Sequence, residues 1–276
     1  MKLPDSLPEN CCEPAADNSL ERKVSRYRAF ELDALRGLAL VMMVLHHFIY
    51  DLRYIMGLDV FAWQETWWFE NLLRPTFLNV FIVVSGICCT FSRSNTKRGL
   101  RLLAVSLLFT VVSIVISIFS GYDFYILFNV LHLLAVGTLL YSGLTVGERR
   151  RGQKLACTDV ILLALAALLL WLASLLPHWS GNGSYWLLPL GILPANAIGM
   201  ADYLPLIPWL GFFLVGALIG RFVYADRLTA FPGVPGWFFT ITRPFGFFGR
   251  HSLLVYALHQ PVLLAVLFGL RALQLF

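Results

Sequence analysis

Long unbroken apolar runs dominate this chain. They recur at about 31–52, 70–91, 99–119, 124–143, 158–177, 203–223 and 251–272. Each is close to the ~20 residues that an α-helix needs to cross a hydrocarbon core of ~30 Å. Polar or turn-forming stretches separate them: Ser92–Arg98, Gly121-Tyr122-Asp123 and the basic loop Gly147–Lys154. The expected fold is therefore all-α, a polytopic membrane helix bundle of about seven transmembrane helices. The expected domains are a flexible basic tail over residues 1–29 and one membrane domain over 30–276.

Two stretches break the pattern. Residues 177–202 read as an outer segment, because Pro189 and Pro194 interrupt an apolar piece too short to span, which suits an interfacial or re-entrant segment. Residues 231–249 are aromatic, glycine-rich and basic, and receive no span. The loop after the first run holds Trp63, Trp67 and Trp68, whose amphipathic rings suit a membrane–water interface. The run at 158–177 is almost pure Leu and Ala and reads as a lipid-facing spacer.

Composition agrees with membrane residence: 58% of residues are hydrophobic, 13% are charged and the mean hydropathy is +0.73. The net charge of +5 does not suggest nucleic acid, because the basic residues flank the apolar runs. With the amino terminus in the cytoplasm, 17 of the 21 Lys and Arg fall on the inner side. Arg53, Arg74 and Arg271 face outward, and Arg36 lies inside the first run. The positive-inside rule thus predicts a cytoplasmic amino terminus and an outer carboxyl terminus. Residues 1–27 lack the apolar core of a signal peptide. Cys11 and Cys12 read as free thiols in that tail. With every cysteine in the tail or on the reducing inner side, no disulfide is expected.

Candidate chemistry concentrates in the first run, Leu32–Leu52, which carries Asp33, Arg36, His46, His47 and Asp51. Ionisable groups inside a membrane span are costly and mark functional sites by default. Arg36 and His47 are eleven residues apart, three helical turns plus roughly 20°, so they share a face at a separation of roughly 16 Å. Arg98 and Arg101 share a face at the start of the third run. Guanidinium forks there suit phosphate, and ordinary inside-positive anchoring is the alternative. Asp51 lies one turn beyond His47 and could orient its ring for general-base work, or the two could be a buried pair that pins helix packing. Asn79, His132 and His259 are candidate polar groups of the acceptor site or the bundle interior. No pair of histidines has metal-ligand spacing, so no metal is expected.

At these residues the chain resembles a known superfamily. Arg36, ten residues and His47 resemble the arginine–histidine motif of transmembrane acyltransferases, and Arg98-Gly99-Leu100-Arg101 is similar to their RxxR element. The resemblance is closer to the heparan-α-glucosaminide N-acetyltransferase catalytic-domain group in its compact bacterial form. LDALRGLALVMMVLHHFIYDL, FNVLHLLAVG, DYLPLIPWLGFFLVGALIGR and GRHSLLVYALHQPVL look like its blocks, in order. The resemblance implies a membrane-bound acyl-CoA-dependent acyltransferase in the bacterial inner membrane. Cytoplasmic acyl-CoA would be the donor, and an amine or hydroxyl of a sugar or glycan on the far side would be the acceptor. Arg36, Arg98 and Arg101 would hold the CoA phosphates, His47 would take the acceptor's proton and Asp51 would orient it. A transporter or channel, and a non-catalytic membrane subunit, are the competing classes. Intramembrane His and Arg would suit a transporter, but no inverted repeat is visible in the sequence.

Overall fold

The computed structural model describes residues 29–274 except 122, 180, 182 and 232. The expected tail, with Cys11 and Cys12, lies outside the described residues. Within them the chain is all-helical. Helix α1 (Phe30–Tyr50) runs on through a wide turn, Asp51–Ile55. A second wide turn, Phe69–Leu73, leads into α2 (Arg74–Cys89). Then come α3 (Asn95–Ser120), α4 (Val130–Leu144), α5 (Val146–Arg151), α6 (Ala156–Leu172) and the single turn α7 (Leu176–Trp179). Helices α8 (Trp209–Phe222), α9 (Gly236–Arg250) and α10 (Ser252–Ala272) complete the chain.

Among the described residues four stretches are long and apolar enough to cross a membrane: Phe30–Ile55, Phe69–Cys89, Asn95–Ser120 and Ser252–Ala272. The other three apolar helices, α4, α6 and α8, have 15, 17 and 14 residues. At 1.5 Å per residue each is about 20–25 Å long, short of a hydrocarbon core. Local chemistry explains the shortening. Helix α4 begins at Val130, not near 124, because Asn129 closes a capping box: its side chain accepts from the His132 backbone N–H, and the His132 ring accepts from the Asn129 N–H. Such boxes satisfy backbone donors that would otherwise be orphaned. Helix α8 begins at Trp209, not 203, behind Pro205 and Pro208. The backbone ahead of both helices is paired within the protein: Ala201 N–H donates to Tyr125 C=O at 2.8 Å, and Leu204 N–H to Phe128 C=O at 3.0 Å. That is the condition for irregular backbone at membrane depth. Residues 185–190, expected as a broken outer piece, form a short 3-10 helix that ends at Gly191 in the left-handed region.

The core joins α2, α4, α6 and α8 around Phe213, Leu214, Leu133 and Ile82, all essentially inaccessible. Close backbone approach lets these helices meet. A Cβ on Gly216 would overlap the Val83 carbonyl, and one on Gly86 would overlap the Phe213 carbonyl. Small residues at helix contacts are how membrane helices gain dispersion without a hydrophobic driving force. Gly86 and Gly216 thus form a packing seam between α2 and α8.

Helix α9 is the element that the sequence did not announce. It occupies the aromatic stretch at 231–249 and packs along α1. A Cβ on Gly37 would meet the Phe245 carbonyl, one on Gly249 would meet the Asp33 carbonyl, and Phe30 packs on Phe239 with centroids 4.3 Å apart. Pro244 sits inside the helix, which is why the stretch reads as broken.

One end of the bundle collects the basic residues. There Arg221, buried, donates to both Glu148 oxygens at 2.6 and 2.8 Å and to Asp159. Glu148 also accepts from the Leu155 N–H at 2.8 Å. Burial alone would push the Glu148 carboxyl up, but these donors outweigh it and hold it below the usual glutamate range. At the opposite end Glu65 accepts from Tyr54 and Arg53, both at 2.7 Å, and those two bonds hold its carboxyl low.

Candidate functional site

Helix α1 carries one set of candidate functional side chains at each end. At the basic end a cleft of about 410 Å³ is lined by Asp33, Arg36, Cys88, Ser92, Arg98 and Arg227, with Ala29, Leu32 and Phe91. Arg36 reaches it from α1, donating to the Cys88 sulfur and, at 3.3 Å, to the Gly249 carbonyl, with Asp33 at 4.0 Å. Arg98, near the start of α3, donates to the Cys89 sulfur at 3.8 Å. Thiols are weak acceptors, so a phosphate oxygen would compete well for these guanidinium donors.

The structure thus brings Arg36 and Arg98 to one cleft. It does not bring Arg101, which is exposed and outside the lining. The third guanidinium is Arg227, which sequence reading counted only as inner-side charge. It sits in the left-handed region at φ 60°. Glu31 clamps the strap that carries it, accepting from the Thr229 hydroxyl at 2.8 Å and the Ala230 N–H at 2.9 Å. No sequence spacing relates Arg227 to Arg36, because only the α9–α1 packing brings them together.

Further along α1, His47 meets α10. Its Nδ1 lies 2.9 Å from the Met43 carbonyl, and its ring packs edge-on against His259 at 4.9 Å between centroids. A carbonyl can only accept, so His47 carries a proton on Nδ1, and in the neutral ring the lone pair lies on Nε2. His259 has the same form: its Nδ1 donates to the Tyr256 carbonyl at 2.7 Å, and its Nε2 is buried with no hydrogen-bond partner. His46 packs against Phe69 at 5.5 Å, and its Nδ1 is also buried and unpartnered.

Asp51 interacts electrostatically with His47 but shares no hydrogen bond with its ring. It is fully buried, and both of its oxygens accept from Gln260 Nε2, at 2.9 and 3.1 Å. The main-chain carbonyl of Met43, not Asp51, fixes the His47 tautomer. Asp51 instead ties the end of α1 to α10. The i, i+4 spacing of His47 and Asp51 was a sound signal for a shared helix face, but the wide turn at Asp51–Ile55 and the competing amide of Gln260 redirect the carboxylate.

The remaining candidates divide. His132 is a structural residue: it caps α4, its Nε2 lies 3.4 Å from the Thr110 hydroxyl, and it stacks on Phe128. Asn79 on α2 has a buried side-chain oxygen without a partner. The described residues contain no group of three or more His, Cys, Asp or Glu placed to hold a metal ion. Cys88, Cys89 and Cys157 are free thiols.

A family model described as "Heparan-alpha-glucosaminide N-acetyltransferase, catalytic" matches residues 28–261. The match begins just before α1 and ends inside α10, so it takes in both ends of the site. No curated protein and no solved structure matches the chain.

Proposed function

The chain belongs to the heparan-alpha-glucosaminide N-acetyltransferase catalytic family, and from that premise we propose that it moves an acyl group from cytoplasmic acyl-CoA to an amine or hydroxyl of a sugar acceptor across the membrane. Membership makes it a membrane acetyltransferase; the donor, the acceptor and the residue roles are our reading.

The observation that carries the reading is the His47 tautomer. With Nδ1 held by the Met43 carbonyl, the neutral ring offers Nε2 as the base inside the bundle. About 16 Å along the same helix, Arg36, Arg98 and Arg227 form a cleft suited to the CoA phosphates. The pantetheine arm has a length of the same order, so the thioester would lie near His47. The acceptor's nucleophile gives its proton to His47 Nε2 as it attacks the thioester carbonyl carbon. The tetrahedral intermediate then collapses, the C–S bond breaks, and the CoA thiolate recovers the proton from the imidazolium. No covalent protein intermediate is required. Asp51 and Gln260 hold α10 against α1 and so keep His259 beside His47. Arg101 serves as a topological anchor outside the cleft.

Positive-inside charge supports this polarity, with the basic end in the cytoplasm of a bacterial inner membrane. Proteoliposomes test it. Radiolabelled acetyl-CoA is supplied to the face that bears the basic end, and a membrane-impermeant amino sugar to the other. Label appearing on the sugar supports transfer across the bilayer. Label appearing only when both substrates share one face contradicts it.

A further inference from the structure

The geometry points to Asp202 as the carboxylate that supports His47 during proton transfer, positioned by the Tyr256 hydroxyl. This assignment rests on the reading of His47 as the base.

Asp202 lies in a turn on the segment between α7 and α8. Its backbone is in the left-handed region at φ 53°, uncommon for a residue with a side chain. The segment is pinned on both sides of it: Ala201 N–H to the Tyr125 carbonyl, Leu204 N–H to the Phe128 carbonyl, and the Tyr203 hydroxyl to the Leu188 carbonyl at 2.6 Å. A backbone held in a sparsely populated conformation by its surroundings is a recurrent feature of functional sites. What it achieves here is aim. The Asp202 carboxylate accepts from the Tyr256 hydroxyl, which in turn accepts from Asn129 Nδ2 at 3.3 Å. Tyr256 is buried on α10, and its own carbonyl fixes the Nδ1 proton of His259, the ring against which His47 packs. Burial pushes the Asp202 carboxyl up, while His47 and the Tyr256 hydroxyl pull it back down, so the carboxyl interacts with the imidazole electrostatically. A carboxylate held there stabilises the imidazolium that forms as His47 takes the acceptor's proton.

The charged and titratable groups around His47 are accounted for as follows. On α1 they are His46 and Asp51, the latter engaged by Gln260. On α10 they are His259 and Tyr256. On the segment before α8 it is Asp202. From α2, Arg74 acts on both His46 and Asp202. Of the two carboxylates that interact with His47, Asp51 is taken up by Gln260 through both oxygens, whereas Asp202 is held by the Tyr256 hydroxyl through one.

Asp202→Asn is the direct test, since Asn tolerates the left-handed region and keeps an acceptor for Tyr256. The pH dependence of kcat/KM is compared with wild type. Without the carboxylate, His47 loses its proton more readily, so the acid limb moves to lower pH by roughly one unit. The plateau rate falls by roughly tenfold or more. Tyr256→Phe, which frees the carboxylate to rotate, should lower the plateau in the same direction by less. An unmoved acid limb in a folded Asp202→Asn protein overturns the role of Asp202. His47→Ala near wild-type activity overturns the underlying reading instead, so the two failures are distinguishable.

Discussion

Removing Glu148 should unfold the basic end of the bundle at a cost that can be worked out from its partners. The Arg221 side chain is 3% exposed and that of Glu148 10%, with both Glu148 oxygens on the guanidinium. Deleting one partner of a buried ion pair costs about 3–5 kcal/mol, because the survivor stays buried and charged. Asp159 still accepts from the Arg221 Nε, so the lower end of that range applies. The Leu155 N–H at the start of α6 also loses its acceptor, which adds about 1 kcal/mol. Glu148→Ala should therefore cost about 4 kcal/mol. Glu148→Gln, which keeps an acceptor oxygen but no charge, should cost roughly half of that. Unfolding can be followed by titrating SDS against detergent-solubilised protein while labelling Cys89, which is 1% exposed, with the other cysteines replaced by serine. The sign of the pH dependence follows from the lowered carboxyl. Stability from this pair is complete above the ordinary glutamate pKa and is lost as pH falls through the lower folded-state value. A loss under about 1 kcal/mol for Glu148→Ala, or greater stability in acid, would refute this view of the ion network.

Other outcomes follow from the same geometry. Arg227→Ala should weaken acyl-CoA binding roughly 10- to 100-fold, the worth of a charge-assisted hydrogen bond, while Arg101→Ala should change it little; isothermal titration compares them. Gly216→Ala forces a methyl onto the Val83 carbonyl and should cost at least about 2 kcal/mol, read in the same SDS titration. Glu65, held low by Tyr54 and Arg53, should keep its loop ordered above the ordinary glutamate pKa and release it only as pH falls through its lower folded-state value. Fluorescence of Trp63, Trp67 and Trp68 reports that release.

The sequence made the apolar helices legible because each is a single long run, and length and hydropathy need no tertiary context. It also made Arg36 and His47 legible, since their spacing is a property of one helix. Boundaries set by capping were harder: Asn129 and His132 shortened α4 through a reciprocal box that looked like two polar residues inside a span. Helix α9 was hidden by Pro244 and by glycines whose purpose, close approach to α1, exists only after folding. The two proposed site residues that sequence could not offer, Arg227 and Asp202, both lie on connecting segments in the left-handed region, and neither stands at a helical spacing from Arg36 or His47. The hydrogen-bond partner of Asp51 was not legible, because Gln260 arrives from the far end of the chain.

The central claim is that the guanidinium cleft binds the donor and His47 performs the transfer. Acetyl-CoA binding and acetyl transfer should be measured side by side on His47→Ala protein in nanodiscs. The account predicts donor affinity within about twofold of wild type and transfer reduced by at least about a hundredfold. Transfer near the wild-type rate, or loss of donor binding in a folded His47→Ala protein, would contradict it.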